Sequence, residues 1–328
     1  MPKLPKTIKK IWSINPSLCT LVVFSLICLA ISLSGLYFDH RQINNEHAWV
    51  KPCKFSISFT LYGATMIWLG QYLLRHRKFF HATCIAALIG GVLELSAIIL
   101  QVLRGTTSHF NTGTPFDHGV FILVKIAIMP VALAVVAIFA LLLRQKELPP
   151  VVGSALHWAV FLTIIGLVPG ILMILPDPLQ DAITQYKQFD GHTVGFPEGG
   201  PGLPVIGWST VAGDLRIAHF VGIHALQILP LIGFAIIKIF PGLSVRRQRA
   251  LVWNAGITYL SVIVLLTWQA LQGESIISAS PSTLAAGILV AIASISAALF
   301  TILLPHRIVQ IGTEMLSEAE VLTETESA

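Results

Sequence analysis

Three ionisable side chains lie within stretches of sequence that are otherwise apolar. Glu94 occurs in GGVLELSAIILQVLRG, Lys125 in DHGVFILVKIAIMP, and His224 in RIAHFVGIHALQILPLIGFAIIKIF. A charge inside a bilayer costs several kcal/mol, so such groups pair, lose their charge or serve a function. Carboxylate, ammonium and imidazole groups can also pass protons between one another. Glu94, Lys125 and His224 are therefore the predicted catalytic residues, and a proton relay is one chemistry they could perform.

The helix that carries His224 also carries two further polar residues. His224 and Gln227 are three residues apart and share a face, whereas His219 lies about 140° around the helix axis. At about 1.5 Å of rise per residue, His224 lies about 12 Å below the membrane boundary at Arg216. Two interpretations remain open for His224. It either bonds a neighbouring helix and only fixes packing, or it binds a ligand or carries a proton in a polar pocket.

Two further helices place polar stripes at similar depths. Glu94 and Gln101 are seven residues apart, as are His118 and Lys125, so each pair lines one face of its helix. Glu94 and Lys125 lie about 14 and about 9 Å deep, a difference that a lysine side chain can bridge. A Glu94–Lys125 ion pair, or a neutral Glu94, is expected. The ion pair could serve only to hold the two helices together.

The loop RGTTSHFNTGTPFDH connects these two stripes and is rich in hydrogen-bonding groups. It is either an ordinary turn-forming connection or part of a polar vestibule between the helices. The predicted substrate-binding residues at this mouth are Arg104, Asn111, Asp117 and Arg216. The predicted cofactor-binding residues are Gln101, His109, His118, His219, His224 and Gln227. The mouth would be positive, which favours an anionic substrate or headgroup; the basic residues concerned are Lys51, Lys54, Arg104 and Arg216.

The elements that position these residues are membrane-spanning helices. Hydrophobic residues make up 55% of the 328-residue chain and charged residues 11%, against about 25% charged in soluble domains. Apolar runs of about 20 residues predict transmembrane helices. The predicted fold is an all-α, polytopic bundle of eight transmembrane helices in a single domain, residues 18–304. The spans are 18–38, 55–74, 82–103, 119–143, 154–176, 215–240, 251–271 and 284–304.

The distribution of basic residues predicts the orientation of the bundle. Thirteen lie in the short segments on one side and six on the other, so the positive-inside rule places both termini in the cytoplasm. The predicted location is the cytoplasmic (inner) membrane, in contact with the lipid bilayer. Residues 1–17 form a basic N-terminus and residues 305–328 an acidic tail. The Gly- and Pro-rich outer loop 177–214 is either a surface connection or a cap over the bundle.

The sequence alone does not decide the function. The basic residues are scattered among short loops, so no nucleic-acid partner is expected, and no histidine, cysteine or acidic spacing specifies a metal. Three hypotheses remain. A redox or lipid-processing protein would bind haem b, a divalent metal, a quinone or a lipid-like substrate at the outer histidines. A proton-coupled secondary transporter would use the buried charges as a relay. A non-catalytic assembly protein would use them for packing alone. The sequence favours the first hypothesis by a small margin.

Overall fold

The structure of the protein is a computed structural model that describes residues 12, 15–73, 77–145, 147–175, 180, 183 and 189–303. The predicted acidic tail 305–328 and most of the predicted basic N-terminus 1–17 lie outside these residues. So does most of the first part of the predicted outer loop, between residues 176 and 188.

The described residues form eight long helices, and the prediction of a helical membrane bundle is confirmed. Seven of them are long and apolar enough to cross a membrane; α2 is not among the seven, because two lysines and several hydroxyl groups lower its hydropathy. The helices are α1 Pro16–Phe38, α2 Val50–Gly70, α3 Arg77–Leu103, α4 Pro115–Leu143, α5 Pro150–Ile174, α6 Leu215–Ile239, α7 Val245–Leu271 and α8 Pro281–Leu303.

Several helices begin earlier than the hydrophobic runs predict, because local capping groups start them. The Asn15 side chain accepts a hydrogen bond from the Leu18 backbone N–H and starts α1, and Thr114 accepts from the Asp117 N–H and starts α4. Such caps satisfy backbone N–H groups that have no partner within the helix. The second helix has no side-chain cap and is displaced at both ends. It begins at Val50 and ends at Gly70, instead of running from 55 to 74.

The closest contact between helices joins α5 to α6. Gly166 and Gly222 face one another, and a Cβ atom added at Gly166 would lie 2.5 Å from the Gly222 Cα. Small residues of this kind let membrane helices approach backbone to backbone. At the edge of the bundle, α8 packs on α7, where Asn254 Nδ2 donates to the Ser294 carbonyl over 3.0 Å. Within α8 only Thr283 is buried, because this helix packs on α7 along one face and is otherwise exposed.

One end of the bundle carries short strands and most of the buried charged groups. We call it the polar end; it comprises residues 39–49, 104–114, 189–214 and 272–280 together with the adjoining helix ends. Two two-residue strands, β1 Gln42–Ile43 and β2 Glu46–His47, form an antiparallel hairpin. Three more, β3 Phe189–Asp190, β4 Thr193–Val194 and β5 Gly213–Asp214, form an antiparallel sheet in that order.

Residues 189–214, which we call the cap segment, pack against the helix ends. The Lys54 ammonium of α2 donates to the Ile206 carbonyl over 3.0 Å, and the Arg216 guanidinium of α6 donates to the Gly207 carbonyl over 2.6 Å. Gly213 lies against the Ala270 carbonyl of α7 so closely that no side chain would fit there. The cap segment is thus attached to at least three helices.

Candidate functional site

Glu94 lies on α3 and is 1% exposed. Its Oε1 atom is 3.2 Å from the Nε2 atom of His109, which belongs to the loop between α3 and α4. The other carboxyl oxygen, Oε2, is buried and has no hydrogen-bond partner in the described part of the protein. The predicted Glu94–Lys125 ion pair is wrong, because His109 occupies the place that Lys125 was expected to fill.

The loop 104–114 folds back so that His109 points toward α3. Phe110 takes a left-handed backbone conformation, with φ of 56°, directly after His109. The His109 ring lies among three phenylalanine rings, 5.8 Å from Phe55, 6.2 Å from Phe110 and 6.4 Å from Phe121. Its Nδ1 atom is 2.9 Å from the Ser108 hydroxyl. An imidazole with its proton on Nε2 would donate to Glu94 and accept from Ser108.

Burial lowers the pKa of His109 below its usual value, and the charge of Lys51 adds to this effect. The hydrogen bond to Glu94 acts in the opposite direction but does not outweigh them. A neutral imidazole is therefore favoured at neutral pH. A neutral histidine beside a carboxyl group can accept or return a proton, which is the arrangement that general acid–base chemistry requires.

Lys51 also lies beside this pair. It interacts electrostatically with Glu198 of the cap segment and with Glu94, although neither carboxylate is within 4.0 Å of its ammonium group. Lys51 makes no hydrogen bond or ion pair with any residue in the described ranges. From the sequence, Lys51 is predicted only as one of the four basic residues that make the outer mouth positive. The signal that could have singled it out is its position at the start of a helix.

A second cluster joins the end of α3 to the start of α4. The Asp117 carboxylate accepts hydrogen bonds from Gln101 over 2.8 Å, from Arg104 over 2.6 Å and from Thr114 over 2.6 Å. Nearby, Asn111 Nδ2 donates to the Thr106 hydroxyl and the Thr107 carbonyl, which holds the loop in shape. The predicted site residues Gln101, Arg104 and Asp117 are therefore bonded to one another, and Asn111 is bonded to its own loop. In the structure, these hydrogen bonds position the loop that carries His109.

A third cluster anchors the cap segment. Asp214 is fully buried, and its carboxylate pairs with the Arg216 guanidinium at 2.7 Å. His192 bridges two acids, with its Nε2 3.0 Å from Glu198 and its Nδ1 3.9 Å from Asp214. Glu198 also accepts the His192 backbone N–H over 2.9 Å. The predicted substrate-binding residue Arg216 is thus occupied by Asp214 and by the Gly207 carbonyl.

The third cluster should become less stable as the pH falls into the acid range. Burial alone raises the pKa of Asp214, but the hydrogen bonds and charge of Arg216 outweigh it, and the net pKa is lowered. A lowered folded-state pKa gives stability above the unfolded value of about 3.9, and that stability is lost as pH falls through the folded value. We expect the wild-type melting temperature to drop more steeply below about pH 4 than that of Asp214→Asn. Parallel acid slopes in detergent melts would contradict this expectation.

The two histidines of α6 face different neighbours. His219 Nδ1 is 2.7 Å from the Gly166 carbonyl of α5. His224 Nδ1 is 3.3 Å from the Gln227 amide oxygen, and the Gln227 nitrogen donates to Thr65 of α2 over 3.2 Å. His224 Nε2 is buried without a partner among the described residues. The expected separation of His219 from His224 is observed, so these two histidines do not line a single wall.

Neither Lys125 nor His118 forms a hydrogen bond or ion pair with Glu94 in the described part of the protein. The Lys125 ammonium lies 4.2 Å from the centre of the Phe121 ring, a cation–π contact. His118 is exposed on the surface of α4. The predicted stripe of His118 and Lys125 therefore does not line a common recess with Glu94. The sequence predicts a polar vestibule with His219, His224 and Gln227 on one wall and with Glu94, Gln101, His109, His118 and Lys125 on the opposing wall. Of the opposing wall, the structure brings Glu94 and His109 into contact and places Gln101 in the adjoining Asp117 cluster.

These contacts also bear on the metal and haem hypotheses. Within the described ranges, no group of three or more histidine, cysteine, aspartate or glutamate side chains is arranged to hold a metal ion. Haem ligation by His224 with His109 or His118 does not fit this arrangement. Both His109 nitrogens are already engaged, and His118 lies on the surface.

Comparison with known proteins adds no relative. No protein-family model matches the chain, and neither the curated proteins nor the solved structures contain a match to it.

Proposed function

We propose that this multi-pass membrane protein uses an acid–base site, centred on Glu94 and His109, to bind a lipid-like ligand and exchange a proton with it. The observation that carries the proposal is the Glu94 carboxyl group, which is buried within an apolar helix and has one oxygen without a partner among the described residues. An unsatisfied buried polar atom is costly and is uncommon in folded proteins. A ligand or a transferred proton would satisfy it.

The polar end would face the extracytoplasmic side of the membrane. The positive-inside rule supports this orientation, because the basic residues concentrate in the short segments at the opposite end. The site would then lie beneath the cap segment, close to the outer boundary of the bilayer. A ligand could reach it from the membrane or from the external aqueous phase.

The surroundings of the site suit a ligand with an apolar body. Phe55, Phe110 and Phe121 surround the His109 ring, and the polar groups beside it are few: Ser108, Glu94 and Lys51. Binding sites for small molecules commonly combine apolar walls with a few polar groups that fix orientation. A quinone or a lipid-like molecule meets this description. The neutral His109 and the unpartnered Glu94 oxygen supply the proton exchange.

The test is the substitution Glu94→Gln, which keeps the size of the side chain and one hydrogen bond to His109 but cannot ionise. Infrared difference spectra would be recorded on wild-type protein in phosphatidylcholine nanodiscs as dodecyl-chain amphiphiles are added. We expect a carboxyl-group signal in wild type that is lost in Glu94→Gln. Glu274→Gln is the control, because Glu274 is bonded by Ser280 and Thr283 at the same end. An unchanged signal in Glu94→Gln would refute the proposal.

The second candidate is a proton-coupled carrier. The unpartnered His224 Nε2 supports it, since this atom lies on α6 before the internal Pro230. Helices α4 and α5 also contain internal prolines, Pro130 and Pro169, each of which removes one backbone hydrogen bond from its helix. Proteoliposomes with a pH dye inside would show substrate-dependent proton flux that His224→Gln abolishes. If neither this flux nor the Glu94 signal is observed, a non-catalytic assembly role becomes the better account.

A further inference from the structure

We propose that the ligand of this site carries an anionic oxyacid head, a carboxylate or a phosphate, held between the Lys51 ammonium and a protonated Glu94. This inference rests on the proposed function and specifies its ligand class. It also assigns a binding role to Lys51.

The first observation is that Lys51 alone, among the cations around this end of α2, α3 and α6, lacks a partner within the described residues. Lys54 pairs with Glu46 at 2.6 Å, Arg104 with Asp117 at 2.6 Å and Arg216 with Asp214 at 2.7 Å. Glu198 and Glu94 are near enough to interact electrostatically with Lys51, but no carboxylate of the described residues is within 4.0 Å of its ammonium group. A partly buried ammonium without a counter-ion is a ready partner for an anion.

The second observation concerns the backbone at the same place. Lys51 is the second residue of α2, and the residue that precedes this helix, Trp49, makes no side-chain capping hydrogen bond. Its indole nitrogen donates instead to Asp39 over 2.8 Å. The first N–H groups of a helix carry partial positive charge and favour anions. The start of α2 thus adds to the attraction of Lys51 for a negatively charged head.

The third observation is the unpartnered Oε2 of Glu94, which is buried near Lys51. An ionised Glu94 would repel an anion, whereas a protonated one would donate its O–H to the anionic oxygen. Binding of an anion therefore takes one proton from water to Glu94. His109 remains bonded to the other oxygen.

The remaining charged groups near Lys51 are already occupied. Glu198 is held by His192 at 3.0 Å, and Arg216 and Lys54 keep their own carboxylate partners. Uptake of the proton by Glu94 thus changes the charge of the site by one unit without breaking these pairs.

The experiment compares four probes with a twelve-carbon chain: laurate, dodecyl phosphate, dodecanol and dodecyltrimethylammonium. Their dissociation constants would be measured by native mass spectrometry on protein in phosphatidylcholine nanodiscs. We expect the two anions to bind at least about tenfold more tightly than the alcohol or the cation. Preference for laurate over dodecyl phosphate, or the reverse, identifies which oxyacid the site takes.

Substitutions separate the two halves of the proposal. Lys51→Gln should weaken laurate binding about tenfold or more, whereas Lys51→Arg, which keeps the charge, should bind within about threefold of wild type. Lys54→Gln is the matched control. It removes the same charge one turn away, from a lysine that already has a counter-ion, and should also stay within about threefold. Equal losses in Lys51→Gln and Lys54→Gln would show a general charge effect and overturn the role of Lys51.

Proton uptake decides the role of Glu94. In weakly buffered solution with an indicator dye, laurate should take up about one proton per wild-type protein and none in Glu94→Gln. Dodecanol that binds as tightly as laurate and still changes the Glu94 infrared signal would overturn the anionic head but leave the acid–base site standing. If no probe changes that signal, both proposals fail. Laurate binding without proton uptake overturns the inference.

Discussion

Gly222→Leu is expected to prevent α5 and α6 from packing and to leave little folded protein after extraction from the membrane. Gly222 and Gly166 lie backbone to backbone, so any added side chain meets main-chain atoms that cannot rotate away. Overpacking a well-filled core typically costs 1–3 kcal/mol, and a clash with backbone costs at least about 3 kcal/mol. Because α6 carries His219, His224 and Arg216, its displacement would also disturb the polar end.

Gly119→Leu provides the control for this prediction. Gly119 is also a helical glycine of an apolar span, but nothing lies within 4 Å of an added Cβ atom there. The monodisperse fraction and the melting temperature would be measured in detergent by fluorescence-detected gel filtration. We expect Gly119→Leu to resemble wild type. A monodisperse Gly222→Leu protein with the wild-type melting temperature would show that the close helix contact is not required.

Arg216→Met is expected to detach the cap segment from the helix ends. Asp214 is fully buried and would be left without its guanidinium partner, and the Gly207 carbonyl would lose its donor. Removing one member of a buried ion pair typically costs about 3 kcal/mol or more, because the remaining charge is buried without compensation. Limited proteolysis should then cut residues 196–211 much faster than in wild type.

Two variants test the cause of this effect. Arg216→Met combined with Asp214→Asn removes the stranded charge and should recover much of the protection that the single variant loses. Arg41→Gln breaks a more exposed pair with Asp39 at the same end and should change cleavage little. If Arg41→Gln and Arg216→Met are cleaved at the same rate, the buried pair does not hold the cap segment.

Properties that depend on one helix at a time could be predicted from the sequence. Apolar runs identified all eight helices, since burial of backbone groups in lipid leaves helix as the only suitable form. Helical periodicity also predicted that Glu94 and Gln101 share a face, and both are buried. The same geometry separated His219 from His224. These are local properties, because the turn per residue within a helix is nearly constant.

The partners of the buried groups could be decided only by the tertiary structure. The loop 104–114, in which Phe110 has a left-handed backbone conformation, brings His109 to Glu94. The contact of Lys125 with Phe121 lies within α4, but the choice of His109 over Lys125 as the partner of Glu94 depends on how the loop packs against α3, which spacing along the chain does not encode. The contact of the cap segment with Lys54 likewise joins residues 152 positions apart.

The sequence alone therefore determined that the chain forms a helical membrane bundle with ionisable residues inside its apolar helices. Hydrophobicity and helical period are read residue by residue, and both are strong in this chain. The tertiary structure decided that Glu94 meets His109, that Lys51 lacks a counter-ion within the described ranges, and that Arg216 is taken by Asp214. These pairings depend on loop conformation and helix rotation, which arise from the packing of the whole fold.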